Sequence, residues 1–572
     1  MDIFKPVYTE QNDCQDCYKC IRECQLKAIK VINNAAQILH EDCIYCGNCT
    51  QVCPVNAKKV RNDLTRVKSL LKRNNKVVVS LAPSYMSEFP NLKDEQLVAA
   101  IKELGFAHVS ETALGAEIVS KKVNGFLEEK QSGIYISSAC PSVVEMICKH
   151  FPQYKDHITP FLSPLLTHCK MLKQEYGEDC KIVFVGPCIA KKSESDAFGD
   201  LLEASLSFKD LADWFDEEGL EADLFYESDT EPSFVPRRAG KGSLYPIDGG
   251  MIAGIKENTS TTDAVFMTFS GISSIYDVLK DLNYYRKPGL LFLELLACEG
   301  GCVNGPGTRK TYSRALKRLE IIQRSEDHVQ EPILDFSIDR DFENIDVALK
   351  PEHPENKIKE ALNMIGKYSD KDEINCGGCG YNSCREFAKA YLDDKSEPNM
   401  CASYMRKIAQ DKSTALLGKI PSGVLIVNEN LKVVEANQSF ARIMGEEMEQ
   451  LFDTIPGLKD ADLKKIAPFY KLFSSVLTTG EDNLERDFRL GNKMLHLSLF
   501  TIQRHKIVGA ILRDMSQPFI QQEEVINRAK AVNQKNLETV QKIAYLLGEN
   551  ASETEDMLNS IVEFYTLAEE KN

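Results

Sequence analysis

The sequence contains no long apolar run. No stretch approaches the roughly 18 consecutive apolar residues that a transmembrane helix requires. The N-terminal segment MDIFKPVYTEQNDC also lacks the apolar core of a secretory signal. We therefore predict a cytoplasmic protein that makes no contact with a membrane.

Basic residues are in the minority. Lys and Arg number 69 against 85 Asp and Glu, which gives a formal net charge of −16. A nucleic-acid-binding surface needs clustered Lys and Arg, so we predict that nucleic acid is not a partner. The chain of 572 residues is also too long for a single hydrophobic core, so several domains are expected.

Cysteine, in contrast, is abundant and grouped. Of 19 cysteines, most fall within residues 14–53, within residues 376–401, or beside Pro and Gly between residues 140 and 302. Because the cytosol keeps thiols reduced, this grouping indicates metal binding rather than disulfides. Three cysteines outside the groups are interpreted as ordinary thiols: Cys148, Cys169 and Cys180.

Two runs with the spacing C-x2-C-x2-C-x3-C occupy residues 1–60. This is the spacing of bacterial two-cluster ferredoxins, in which the fourth cysteine of each run ligates the other run's cluster. It predicts a ferredoxin-type domain with two 4Fe–4S clusters that transfer electrons, and a structural zinc site is the alternative. Cluster one is expected to use Cys14, Cys17, Cys20 and Cys53, and cluster two Cys24, Cys43, Cys46 and Cys49.

Between residues 61 and 325, which we call the central domain, short apolar segments alternate with helical ones. This alternation predicts an α/β architecture with a functional site at the strand ends. Cys140 and Cys188 each follow an apolar segment directly, where a cofactor is expected. The predicted strands cover residues 76–83, 133–137, 181–186 and 290–297.

A polar segment from about residue 325 to 372, with one helix near 356–366, precedes another cysteine group. The segment NCGGCGYNSC carries glycines between its cysteines, which suits a loop folded closely around a cubane. It resembles the small 4Fe–4S domain of corrinoid iron–sulfur proteins, and a zinc site is the alternative. This small domain, residues 326–410, would hold its cluster with Cys376, Cys379, Cys384 and Cys401.

Residues 411–517 contain no cysteine and resemble a PAS domain. The segment GVLIVNENLKVVEANQSFARIMG predicts a strand, a turn, a second strand and a helix led by Asn437. The alternation of Leu495, Leu497 and Leu499 predicts a half-buried strand, and HKIVGAILRDMS a closing strand. Two histidines are predicted to lie on strand surfaces rather than to bind a cofactor: His496 and His505.

Residues 518–572 read as a helical tail with an apolar stripe. Such a helix can pair with a partner or with its own copy, or it can pack on the sheet of its own domain. The chain is therefore predicted to combine α/β and α+β domains with a C-terminal helix. The stripe consists of Val525, Ala529, Val532, Val540, Ile543 and Leu547.

Three further cysteine segments, SSACPSVVEM, VGPCIAKKSE and LELLACEGGCVNGPG, resemble the signature motifs of FeFe-hydrogenases. In that family an H-cluster joins a 4Fe–4S cubane to a diiron unit with CO, cyanide and dithiolate ligands. The resemblance implies an H-cluster in addition to the three 4Fe–4S clusters, with Cys302 bridging to the diiron unit. The implied ligands of the cubane are Cys140, Cys188, Cys298 and Cys302.

The resemblance also implies roles for several other residues. Lys191, in a KxxE pattern with Glu194, would donate a hydrogen bond to one cyanide. Pro83 and Ser84 match the family's contact with the other cyanide, and Glu294 matches a glutamate four residues before a cubane ligand. Related assembly proteins that hold only the cubane have no need for a lysine aimed at cyanide.

The chain departs from the family along the proton route. Ala139 stands where catalytic members carry the cysteine that relays protons, and a methyl group cannot transfer a proton. Lys121 and Lys122 occupy the helix in which further relay glutamates are expected. Gly186 and Leu165 replace the family's usual methionine and glutamine.

Three carboxylates are candidates for a replacement proton relay. They are Glu299, Glu145 and Asp248.

These departures and the PAS-like domain imply a sensory FeFe-hydrogenase that oxidises H2 slowly and reversibly and signals through its clusters. Its expected partners are ferredoxin or another electron carrier, a kinase or phosphatase, and a second copy of the chain. The alternatives are a catalytic hydrogenase with another proton route, and an iron–sulfur carrier or assembly protein.

Overall fold

A computed structural model of the chain divides into two compact units, Met1–Met405 and Arg406–Asn572. Among the helices that the structure describes, none is long and apolar enough to cross a membrane. The described residues are 5–74, 76–220, 233–257, 264–285, 289–309, 312–325, 336–342, 345–347, 351–516, 526, 529–544 and 557–558.

The ferredoxin-type domain consists of two antiparallel strand pairs and two short helices. Strand β1 pairs with β4, and β2 pairs with β3. Cys20 and Cys49 lie within the two helices, and Cys24 and Cys53 directly follow them, so both cysteine runs have the same local structure. The elements are β1 (Val7–Thr9), α1 (Lys19–Glu23), β2 (Ile29–Ile32), β3 (Ala35–Ile38), α2 (Asn48–Val52) and β4 (Lys58–Val60).

Two parallel sheets form the centre of the next domain. One has the strand order β6-β5-β8-β9 and the other β10-β11-β7. Every residue of β5 and β11 is buried, which explains why both strands are apolar runs in the sequence, interrupted by Ser80 in β5 and Glu294 in β11. All four predicted strands are confirmed. The strands are β5 (Val77–Leu81), β6 (His108–Glu111), β7 (Gly133–Ile136), β8 (Lys181–Gly186), β9 (Ala204–Ser207), β10 (Val265–Ser270) and β11 (Leu290–Leu296).

Helices surround these sheets and complete the α/β architecture. Gly115 allows the backbones of α6 and α8 to approach closely, because a Cβ there would lie 2.1 Å from the Pro164 carbonyl oxygen. The helices are α3 (Leu64–Arg73), α4 (Tyr85–Glu88), α5 (Asp94–Glu103), α6 (Ala113–Glu128), α7 (Pro141–His150), α8 (Pro164–Tyr176), α9 (Lys191–Ala197), α10 (Phe208–Glu218), α11 (Gly250–Glu257), α12 (Ile272–Asp281) and α13 (Arg314–Arg324).

The ferredoxin-type domain packs against the central domain. Gly47 has a φ of +76°, and a Cβ at this position would lie 2.6 Å from side-chain atoms of Ile189 and Pro306. Lys149 of α7 donates hydrogen bonds to the carbonyl oxygens of His40 and Cys43, at 3.2 and 2.8 Å. A glycine in the left-handed region is thus required where the ferredoxin-type backbone meets side chains of the central domain.

The small domain packs on the ferredoxin-type domain as well. Its helices α14 (Glu355–Met364) and α15 (Cys384–Leu392) share an apolar core with Ile21 and Val31. The backbone N–H of Val31 donates to the Lys395 carbonyl oxygen at 3.1 Å. The predicted helix near residues 356–366 is confirmed by α14.

The second unit contains a five-stranded antiparallel sheet in the order β13-β12-β16-β15-β14. As predicted, Asn437 begins a helix, and its Oδ1 accepts a hydrogen bond from the Phe440 N–H at 2.9 Å. The predicted strands over Leu495–Leu499 and HKIVGAILRDMS are also confirmed. Helix α16 (Ala402–Lys419) begins before the first residue of this unit. The other elements are β12 (Gly423–Asn428), β13 (Val433–Ala436), α17 (Gln438–Met444), α18 (Glu446–Thr454), α19 (Leu463–Ile466), α20 (Tyr470–Thr479), β14 (Asn483–Leu490), β15 (Lys493–Gln503) and β16 (Ile507–Asp514).

One histidine prediction is wrong. His496 lies on β15 but is buried, and its ring nitrogen contacts the Asp487 carboxylate at 2.5 Å. This contact allows a buried polar ring in a position that the alternation pattern assigned to the surface. His505 is exposed as predicted, but it lies in the turn after β15 with a φ of +60°.

The described part of the tail is helical and exposed. Val532 and Val540 of the predicted stripe are 59% and 61% exposed, so neither packs on the sheet. Val525 and Leu547 lie outside the described residues. The apolar stripe is therefore without a covering surface over the described residues of the tail.

Candidate metal centres

A cavity of about 100 Å³ lies at the carboxyl ends of the central strands. Cys140 follows β7, Cys188 follows β8 and Cys302 follows the loop after β11, and all three line this cavity. The parallel strands bring together segments that are distant in sequence, since their carboxyl ends meet at one edge. The sequence prediction of a site at the strand ends is therefore in accord with the cavity.

The fourth thiol, Cys298, lies beside the other three. Its pKa is raised well above the ordinary value, first by burial and then by the charges of Cys302, Cys188 and Cys140. Burial likewise raises the pKa of Cys188 to about 11. Four thiols with raised pKa values in one place are protonated without a metal, and metal binding would release their protons.

A buried ion pair supplies positive charge to the same cavity. The Lys191 Nζ lies 2.7 Å from Glu194 Oε2 and 3.0 Å from Ser163 Oγ, and Lys191 lines the cavity. An ammonium group has three N–H donors, so two are engaged and one is left for a ligand in the cavity. Burial raises the pKa of Cys140 and the charge of Lys191 opposes that rise, which places the ammonium near the thiols.

Ser84 provides a second donor. It follows Pro83 at the end of β5 and lines the cavity, and its buried hydroxyl has no hydrogen-bond partner among the described residues. A buried polar group without a partner calls for a ligand that can satisfy it. Thiolates, an ammonium and a free hydroxyl around one cavity fit an iron cluster with small anionic ligands.

Cluster two would lie next to this site. A cleft of about 850 Å³ is lined by all the cysteines of the predicted cluster-two set and by Cys298. Burial raises the pKa of Cys46 to about 11, and the charges of Cys24 and Cys140 add to this rise. Cys46 therefore lies between the ferredoxin-type thiols and the thiols of the central domain.

The structure also brings the predicted cluster-one set together. Cys20 has a pKa raised to about 11, by burial and by the charges of Cys14, Cys17 and Cys53. Lys58 lies close to both sets, because its charge opposes the rise that burial causes in the pKa of Cys20 and of Cys49. Its buried ammonium donates to Ala36 O at 2.7 Å and to Thr9 Oγ1 at 2.6 Å.

Three parts of the chain match models of known families. Residues 75–306 match the model of the iron only hydrogenase large subunit, C-terminal domain. Residues 36–59 match a 4Fe-4S binding domain, and residues 372–403 match an Fe-S cluster domain.

Residues 75–306 are therefore similar to an FeFe-hydrogenase domain, and for that similarity this domain, its cavity and its site are called the hydrogenase domain, the hydrogenase cavity and the hydrogenase site.

Two curated relatives are similar to part of the chain. Iron hydrogenase 1 of Clostridium pasteurianum is 23% identical over 314 residues, which cover 45% of this chain and 54% of that protein. The periplasmic [Fe] hydrogenase large subunit of Nitratidesulfovibrio vulgaris is 24% identical over 310 residues, which cover 44% of this chain and 73% of that protein. The chain therefore spans about half the length of the first of these relatives.

Solved structures align with separate parts of the chain. The FeFe-hydrogenase HydA(deltaEFG) covers 45% of this chain and 88% of its own, with 17% identity and a TM-score of 0.36. A PAS domain from a two-component sensor histidine kinase covers 19% of this chain and 98% of its own, with 13% identity and a TM-score of 0.15.

The hydrogenase cavity has no carboxylate among its described lining residues. Ala139 lines it beside Cys140 and presents only a methyl group. Glu299 is 68% exposed and forms an ion pair with Arg314, and Glu145 forms one with Lys149. The remaining candidate relay, Asp248, is likewise not among the lining residues.

Glu294 is a buried carboxyl group of the hydrogenase domain. It accepts hydrogen bonds from the Met251 N–H at 3.1 Å and from Thr268 Oγ1 at 2.9 Å. Burial raises its pKa to about 7, and these two hydrogen bonds oppose the shift. Near neutral pH this group can therefore hold or release a proton.

Sequence reasoning missed two polar groups near the hydrogenase cavity. Glu117 of α6 is buried and accepts a hydrogen bond from Arg237 at 2.8 Å. Tyr245 lines the cavity, and its hydroxyl lies 2.8 Å from Ser120 Oγ. Glu117 and Ser120, which is the partner of Tyr245, lie one turn apart on α6. This helical spacing of two polar residues is a signal that could have been read from the sequence.

The small-domain cysteines surround a separate narrow space of about 10 Å³. All four line it, and Cys376 is exposed to solvent. Burial is the main cause of the raised pKa of Cys379. The charges of Cys401 and Cys376 raise this pKa further, and a hydrogen bond from the Tyr381 N–H lowers it. The small domain thus brings its four thiols together independently of the hydrogenase cavity.

Proposed function

We propose that this protein is a sensory FeFe-hydrogenase, which binds H2 and oxidises it slowly and reversibly at an H-cluster. The observation that carries the proposal is Ala139, a methyl group at the cavity wall beside the thiol of Cys140. Without a group that accepts protons there, proton transfer limits turnover, while H2 still reaches the site.

When bound, the H-cluster would supply the open iron at which H2 is split. Cys140, Cys188, Cys298 and Cys302 would hold it. Lys191 would donate its free N–H to one anionic ligand, and its bonds to Glu194 and Ser163 would fix the ammonium in place. Ser84 would donate to a second ligand, and Leu165 and Phe184 help to exclude water from the cavity.

The remaining parts of the chain would convert the redox state into a signal. Electrons from H2 would pass to the ferredoxin-type and small-domain clusters and on to ferredoxin or another carrier. The PAS-like second unit and the helical tail would transmit the state to a kinase or phosphatase. The exposed stripe of the tail, with Val532 and Val540, suits pairing with a second copy of the chain.

The decisive experiment is anaerobic maturation with the diiron cofactor, followed by infrared spectroscopy with and without H2. We expect carbonyl and cyanide bands on iron that shift when H2 is added. Turnover should be low and should rise at least about 100-fold in the Ala139→Cys variant, since a positioned proton relay contributes that much. Absence of the bands, with iron present in the cubanes, would assign the protein to the carrier or assembly class.

A second candidate function is favoured by Glu294. A buried carboxyl group with a pKa of about 7 is suited to proton transfer, so a catalytic hydrogenase with a different proton route is the competing proposal. It predicts fast steady turnover in the wild-type protein that Glu294→Ala removes. In the sensory hydrogenase, turnover is slow and the same substitution changes it little.

A further inference from the structure

The small domain contacts the ferredoxin-type domain through residues that are adjacent to predicted cluster ligands in the sequence. Gly380 follows Cys379 and has a φ of +93°, and a Cβ there would lie 2.9 Å from Ile21 Cγ2. Ile21 lies between Cys20 and Cys24, the last of which belongs to the predicted cluster-two set. Only a glycine allows this approach, so the two cysteine loops meet backbone to side chain.

Lys27 holds this contact together. Its Nζ donates a hydrogen bond to the Gly380 carbonyl oxygen at 2.8 Å and to the Ile21 carbonyl oxygen at 3.1 Å. Its ammonium also lies 5.9 Å from the centre of the Tyr381 ring. The backbone N–H of Lys27 donates to the Cys24 carbonyl oxygen, so one residue ties Cys24 to the loop of Cys379.

The opposite side of the cluster-two set contacts the hydrogenase domain. Gly47, next to Cys46, packs on Ile189 and Pro306. Cys46 and Cys298 line the same cleft. Cluster two therefore has Cys24 toward the small domain and Cys46 toward the hydrogenase site.

Two predicted clusters have a ligand at the protein surface. Cys17 of cluster one and Cys376 of the small domain are both exposed. If the clusters formed one serial chain, a single terminal cluster would be sufficient to exchange electrons with an external carrier. Two exposed ligands, one in each of two different clusters, fit a divided path instead.

We propose that cluster two is a branch point, which exchanges electrons directly with the small-domain cluster across the Lys27 contact as well as with cluster one. The inference rests on the proposed function, in which each H2 gives two electrons and two protons. Each electron reduces one cubane, and the protons leave to solvent. One exit then lies near Cys17 and the other near Cys376.

The test removes cluster one from the full-length matured protein with the double variant Cys14→Ala and Cys17→Ala. Iron analysis first verifies that only one cubane has been lost. Under H2, electron paramagnetic resonance should show the small-domain cluster reduced as fast as in the wild-type protein. If electrons reached the small-domain cluster only through cluster one, that cluster would stay oxidised in the variant. This result would overturn the branch.

Magnetic coupling separates this inference from the proposed function. In dithionite-reduced protein, dipolar coupling between cluster two and the small-domain cluster should persist in the variant that lacks cluster one. If H2 fails to reduce the wild-type clusters and this coupling is present, the proposed function fails and the branch is supported. If the coupling is absent in the wild-type protein, the branch fails.

A point substitution tests the role of Lys27 as a positioning residue. Lys27→Gln should weaken the dipolar coupling and slow reduction of the small-domain cluster, with cluster one unaffected, and Lys27→Arg should retain both. Lys19→Gln removes the same charge from an exposed position on α1 and serves as the matched control. Equal behaviour of Lys27→Gln and Lys19→Gln would contradict the role of Lys27.

Discussion

The hydrogenase site and the small-domain site are built in opposite ways from the same kind of ligand. The first collects Cys140, Cys188, Cys298 and Cys302 from three separated segments, and its cavity exists only when two sheets are in place. The second takes all its thiols from residues 376–401, with one of them exposed. A site assembled by tertiary structure controls its surroundings closely, whereas a local loop is sufficient to bind a cubane that only carries electrons.

The largest difference should appear when each site loses one ligand. Cys302→Ala should abolish the carbonyl and cyanide infrared bands of the matured protein, because Cys302 is the thiol expected to bridge to the diiron unit. Cys376→Ala should leave the bands unchanged and lower the iron content by one cubane. Loss of the bands in both variants would show that the two sites are not independent.

The buried ion pair of the hydrogenase site should be the next most sensitive feature. Lys191→Met leaves Glu194, which is 3% exposed, without its closest positive partner and should lower the free energy of unfolding by about 3 kcal/mol. Thermal unfolding of the protein without clusters measures this effect. The double variant Lys191→Met and Glu194→Gln should recover much of the loss, and no recovery would mean that packing rather than charge is responsible.

Glu294 should make the stability of the hydrogenase domain dependent on pH. Because its folded-state pKa is raised from 4.5 to about 7, the folded chain keeps a proton that the unfolded chain releases between these values. The free energy of unfolding should therefore fall as pH rises from 4.5 to 7, by about 3 kcal/mol in total. Glu294→Gln should remove this part of the slope, as measured by melting temperatures at a series of pH values. An identical slope in the variant would contradict the assignment.

The smallest effect is expected at Glu299. Its carboxylate is exposed and paired with Arg314, and such surface pairs contribute about 0–1 kcal/mol. Glu299→Gln should leave turnover and infrared bands unchanged, which distinguishes it from the buried Glu294. A marked loss of turnover would restore Glu299 as a proton relay.

The sequence predicts well those features that depend on local pattern. The strands β5, β8 and β11 are apolar runs because both of their faces are buried, so composition alone reveals them. The helix start at Asn437 follows from the preference of an Asn side chain for the first free N–H groups. The cysteine runs are equally local.

Features that depend on contacts between distant segments could not be predicted in this way. The burial of His496 depends on Asp487 of the neighbouring strand. Glu117 is compensated by Arg237, which lies 120 positions away in the sequence. The packing of the small domain on Ile21 leaves no trace in spacing or periodicity, since a glycine in a glycine-rich loop has no distinctive pattern.

Gly47 and Lys149 have a consequence for how such a chain can be taken apart. The first 60 residues look like a module that could be inherited or transplanted as one piece. In the folded protein, however, a truncation that begins at residue 61 would remove the carbonyl oxygens that Lys149 binds and uncover Ile189 and Pro306. The boundary near residue 60 therefore separates two family matches, and a folding unit runs across it.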